Sequence, residues 1–90
     1  MLQDVKSSVR IINNKFDVEL LDLIEAAKTD LLIAGVTKND EDDPLIKRAI
    51  ILYCKANFGL DNKDSEKYQN SYENLKEKLS LCGDYNSVEE

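Results

Sequence analysis

An all-α domain of four helices, a short first one and three longer ones, is the fold this 90-residue sequence predicts. Two observations carry the prediction. Punctuation is sparse, with three glycines and one proline, and Gly35, Gly59 and Gly83 each close an amphipathic stretch. Helices commonly end on a glycine in the left-handed conformation that its missing Cβ permits. The apolar residues between these stops recur in steps of three and four, the period of a helix with one buried face. The even spacing of the glycines looks at first like a repeat. The segments they close share no residue pattern, so they read as helix stops. A chain of this length makes one domain: a single helical unit over 1–83, followed by a flexible acidic tail over 84–90.

Each element has its own local reasons. Leu2, Val5, Val9 and Ile12 step by three, four and three along a short first helix. Its stripe is narrow and Ser7-Ser8 weaken its propensity, so it depends on packing against neighbours. After a turn at Asn13-Asn14-Lys15, Asp17 is expected to cap the second helix, with Glu19 and Asp22 favoured near its positive end. Phe16 and Leu21 have the spacing of a hydrophobic staple. Leu20, Ile24, Ala27 and Leu31 make the inner stripe, and Leu21, Leu32 and Val36 are expected to widen it.

The third helix begins where Pro44 fits the first helical position and Asp43 the cap. Ile46, Ala49, Ile50, Tyr53, Cys54 and Phe58 cover a broad face, and Leu45, Ile51 and Leu52 spread round much of the rest. A helix apolar on most sides is buried on most sides, so this one should be central, with leftover apolar surface meeting another subunit. The β-branched run at 49–53 could suggest a strand, but the stretch from Pro44 to Gly59 is too long for one and holds no turn signal. Asp61 or Asp64 caps the last helix, where Tyr68, Tyr72, Leu75, Leu79 and Cys82 repeat by four, three, four and three. Glu73 and Lys76 have i,i+3 spacing for an ion pair.

Composition excludes several functions. Twelve basic against eighteen acidic residues leave a net charge of −6, the wrong sign for a nucleic-acid binder or for an anionic membrane surface. The chain has no histidine, which removes Ser-His, Cys-His and His-metal chemistry. Its apolar runs are far short of the roughly twenty residues of a membrane span. Met1-Leu2-Gln3-Asp4 lacks the basic and apolar regions of a signal peptide. Cys54 and Cys82 form no CxxC pair, and neither has a basic immediate neighbour to activate it. Cys54 reads as a small buried hydrophobe and the compartment as cytosolic.

Candidate chemistry is thin. The run Asp40-Glu41-Asp42-Asp43 is consecutive where a calcium loop alternates its ligands around a glycine, so it reads as a solvated, helix-capping loop. Glu19, Asp22 and Glu25 read as a wet face of the second helix. No metal, cofactor or catalytic site is expected, and the chain is read as no enzyme. Lys47, Arg48 and Lys55 form the noticeable basic face, a candidate contact for an acidic surface of a neighbouring subunit, at 40–43 or in the tail.

Taken in order, three stretches resemble the phage head–tail connector family, small helical adaptors of long-tailed phages often labelled DNA-packaging proteins. They are Phe16 to Lys28, Asp42 to Gly59 with its proline start, and Lys67-Tyr68 through Tyr72, Leu75 and Leu79 to Asp84-Tyr85. With the opening at 5–12 the resemblance spans nearly the whole chain. It implies a structural virion part that forms a homo-oligomeric ring, dodecameric in the virion, below the portal protein. Such a ring extends the DNA channel after packaging without binding DNA specifically, and docks the next head-completion or tail protein. It implies a place at the virion head–tail junction, reached through the host cytoplasm, with no membrane contact. It also implies that the carboxy-terminal segment reaches toward the portal, with Tyr85 and Val88 as anchors. Many relatives carry an aromatic-rich, Arg-containing segment after the central helix, where this chain has Lys55-Ala56-Asn57-Phe58. From another class, a small acidic helical regulatory module that occupies a basic protein surface fits the same composition.

Overall fold

A computed structural model describes residues 1–38, 40–58 and 63–86. The chain is all-α: α1 (Leu2–Val9), α2 (Asp17–Ile33), α3 (Pro44–Asn57) and α4 (Ser65–Leu81). The third helix is the hub. It packs against α1, α2 and α4, and Ile46, Ala49, Ile50, Leu52 and Cys54 are buried along it. Leu20, Ile24, Ala27 and Leu31, the expected inner stripe of α2, are all buried. Tyr72 and Leu79 of α4 close the core, with Tyr68 and Leu75 partly covered beside them. Tyr53 and Tyr72 meet edge to face with ring centroids 5.2 Å apart, the arrangement the ring quadrupoles favour.

The start of α3 follows its local chemistry. Asp43 is the N-cap, and its Oδ1 accepts from the N–H groups of Leu45 and Ile46 at 2.9 and 3.3 Å. Pro44 opens the helix without needing a donor. The start of α2 departs from expectation. Phe16 is the N-cap, without a side-chain cap bond, and Asp17 is the first helical residue. The Asp17 carboxylate turns to Lys6 instead, 2.9 Å away. That shift puts Leu20 at the fourth helical position and leaves Leu21 exposed, while Phe16 packs edge to face on Phe58. The staple expected between Phe16 and Leu21 is replaced by this aromatic pair.

Two helix ends share one geometry. At the end of α2, Gly35 has φ 98°, Val36 N–H donates to Leu31 at 2.9 Å and Gly35 N–H to Leu32 at 3.0 Å. This is a Schellman end. At the end of α1, Arg10 has φ 61°, Ile11 N–H donates to Lys6 at 2.9 Å and Arg10 N–H to Ser7 at 3.2 Å. The same motif is thus built on an arginine, three residues earlier than periodicity predicts, and Ile12 is left 97 % exposed. Gly83 follows α4 without adopting a positive φ; the helix ends at Cys82 in extended conformation. The stop expected at Gly59 and the cap considered at Asp61 lie outside the described residues, and Asp64 holds the N-cap position of α4.

Candidate interaction surface

The apolar surface left over is on α2, not on α3. Of the α3 residues only Leu45 is a large exposed hydrophobe, because α1, α2 and α4 together cover the rest. The expectation of residual apolar surface on the central helix is therefore corrected. Helix α2 is covered along one side only. Val18 is 74 % exposed and Ile33 80 %, and Leu21 and Leu32 are also open to solvent. Leu21 and Leu32 do not widen the inner stripe as expected; Val36 does, fully buried beyond the glycine stop. Glu19, Asp22 and Glu25 lie among these exposed apolar residues. The sequence signal for this face is the presence of apolar residues all round α2, which periodicity alone assigns to one broad stripe.

The acidic loop is consumed within the molecule. Glu41 forms an ion pair with Lys28, and Asp40 accepts from the Asp42 N–H at 2.9 Å. Asp43 caps α3, takes a 3.0 Å ion pair from Lys38 and accepts from the Tyr85 hydroxyl at 3.0 Å. The hydrogen bond from Lys38, with the backbone and tyrosine donors, holds the Asp43 carboxyl down at about 2. Among the described residues no group of acids and cysteines could hold a metal ion.

Tyr85 extends the fold past Gly83. Its carbonyl accepts from the N–H groups of Thr37 and Lys38 at 2.8 and 3.1 Å, and Lys38 Nζ lies 5.0 Å over its ring. Asn86 bonds back to the Ser80 carbonyl. Helical periodicity stops at Gly83, so these contacts, made by a turn, leave no periodic trace. Val88 lies outside the described residues.

The predicted basic face is partly engaged. Lys47 lies 3.8 Å from Asp4, and Lys55 Nζ sits 4.5 Å over the Tyr68 ring. Arg48 is exposed and makes no ion pair among the described residues. Lys55, Phe58 and Tyr68 also line a shallow groove with Ser8 and Val9 of α1. With a single lysine and no carboxylate in its lining, it provides no constellation for catalysis.

Two ion pairs between helices were not visible in sequence. Lys6, 4 % exposed, reaches both Asn14 Oδ1 at 3.1 Å and Asp17, tying α1 to the start of α2. Asp30 accepts from the Tyr72 hydroxyl at 2.5 Å and from Lys76 at 3.0 Å, tying α2 to α4. Burial pushes the Asp30 carboxyl up, but these two donors outweigh it and leave it lowered. Lys76 also makes the expected pair with Glu73, at 2.9 Å. Both cysteines are free thiols, and burial pushes Cys54 up to about 12, which makes it inert at neutral pH.

Among the described residues no helix is long and apolar enough to cross a membrane. A family model described as "Phage connector protein" matches residues 1–86. No curated protein and no solved structure matches the chain.

Proposed function

This chain belongs to the phage connector protein family, whose members are structural parts of the virion, and from that premise we propose that it is a ring-forming subunit of the head–tail junction. The ring sits below the portal protein, extends the channel through which DNA passes, and offers its far side to the next head-completion or tail protein. The observation that carries this reading is a family match spanning residues 1–86, which takes in all four helices and the turn at Tyr85.

Physical features support it. A small all-α unit with one helix exposing Val18, Leu21, Leu32 and Ile33 has more apolar surface on one side than an isolated monomer needs. A net charge of −6 suits a channel wall along which DNA slides, since like charge disfavours phosphate binding. Lys47, Arg48, Lys55 and Tyr85 stay in this reading as subunit or portal contacts, together with Val88.

The experiment is the mass in solution, by light scattering behind a sizing column, alone and with the cognate portal. A discrete large oligomer, or a complex formed only with portal, supports the connector reading. A monomer that ignores the portal over a wide concentration range overturns it, and an acidic module binding a basic protein surface takes its place.

A further inference from the structure

We propose that a cleft along α1 binds the carboxylate of an acidic peptide segment, gripped by Arg10 with Lys6 at its base. Gln3, Lys6, Ser7 and Arg10 have the spacing of one helical face, and every one of them carries a hydrogen-bond donor. With Ile11 and Ile12 they line an open cleft of about 390 Å³. No carboxylate is among the lining residues, although acids outnumber bases eighteen to twelve in the chain. The imbalance is reversed at this end of the sequence: residues 1–16 hold three bases and one acid, and the rest of the chain nine and seventeen.

Several features separate this cleft from a patch of solvated cations. Lys6 is 4 % exposed, and its Nζ is fixed by Asn14 Oδ1 at 3.1 Å and Asp17 at 2.9 Å. An ammonium has three donors, so one remains beyond these two bonds, already stripped of most of its water. Arg10 is exposed and makes no ion pair among the described residues, which leaves its fork of donors open to a carboxylate. An arginine at φ 61° is strained where glycine is not, so the turn itself does not call for this side chain. Arg48 and Lys67 are exposed cations too, but neither lines this cleft or the groove beside Lys55. Charge then selects the ligand. Asp17 offsets Lys6, and Arg10 is the uncompensated cation among the lining residues. One carboxylate matches it, whereas a phosphate dianion brings a second negative charge toward Asp17. Ile11 and Ile12, the latter 97 % exposed, suit a carboxylate carried on a peptide with an apolar side chain next to it.

The test is a titration of the full, isotope-labelled chain followed by amide chemical shifts, with circular dichroism to verify that each variant is folded. The probe is the peptide Asn86-Ser87-Val88-Glu89-Glu90, acetylated and amidated so that its glutamates are its only charges. Saturable shifts confined to residues 3–12 are the expected result. Arg10→Gly keeps the left-handed turn and should weaken binding roughly tenfold or more, the loss of hydrogen bonding to a charged group. Gln3→Glu, at an exposed position, should weaken it by placing a like charge in the cleft. The same peptide with both glutamates replaced by glutamine should not bind. Shifts that never saturate or that fall elsewhere overturn the proposal, as does binding indifferent to Arg10→Gly or to loss of the peptide's carboxylates. Inorganic phosphate, titrated separately, should bind more weakly than the peptide; tighter phosphate binding at the same amides overturns the carboxylate assignment. The site does not depend on ring assembly, so light scattering with portal tests the connector reading independently of either result.

Discussion

Helices α2 and α3 are both rich in leucine and isoleucine, and they end up in opposite situations. Three helices surround α3 and bury its apolar residues on nearly every side. α2 lies at the edge of the bundle, burying Leu31 to 1 % exposure while its chain neighbour Leu32 is 55 % exposed. Apolar content was the same signal in both helices. What separates them is the number of neighbours each one has, a property of the whole arrangement. The helix that looks most in need of a partner by composition is already satisfied, and the one whose apolar residues seem to fit one stripe carries the open face.

Substitutions can break or sharpen that contrast. The largest effect is expected at the centre of α3, where Ile50→Ala should cost about 2–5 kcal/mol in chemical denaturation, because a fully buried site cannot collapse to fill the cavity. A similar loss is expected for Leu31→Ala in α2, whereas Leu32→Ala should stay within about 0.5 kcal/mol; equal losses would show that the α2 edge is covered. An intermediate effect is expected for Asp43→Ala, which removes the cap of α3 and the partner of Lys38 and Tyr85 together, while α2 has no side-chain cap to lose. Acid should act through the same carboxyl. Its folded value lies near 2 against an ordinary 3.8, so the stability it provides is complete above about pH 4 and is lost as pH falls toward 2. A thermal-melting series across that range should show the native chain converging on Asp43→Ala. The smallest effect belongs to α1: Arg10→Gly relieves a left-handed arginine and should stabilise by about 0.5–1 kcal/mol, in contrast to α2, which already ends on glycine.

Those two helix ends show why part of the fold was legible and part was not. Gly35 announces a left-handed stop because only glycine enters that region without a penalty. Arg10 makes the same stop with no glycine to announce it, and beside it Lys6 reaches inward to Asp17 and Asn14. A lysine that crosses from one helix to the next has no periodic signature, and the same holds for Asp30 reaching Tyr72 and Lys76. The inner stripe of α2, the Asp43–Pro44 start and the core of α4 were legible because each depends on residues close together in the chain. The open face of α2 was not, since Val18 and Ile33 differ from Leu20 and Leu31 only in which way the finished bundle turns them.

The turn at Tyr85 gives the molecule a topological seam. It joins positions 42 residues apart, binding the last described turn to the loop between α2 and α3, so the two halves of the chain are stitched only when α4 has arrived. The amide protons of Thr37 and Lys38, which donate to the Tyr85 carbonyl, thereby become clocks for that event. Their exchange with solvent should slow late in refolding, after the α2–α3 core has formed. In the assembled state the same two protons should exchange quickly if any neighbour lifts the carboxy-terminal segment from its seat.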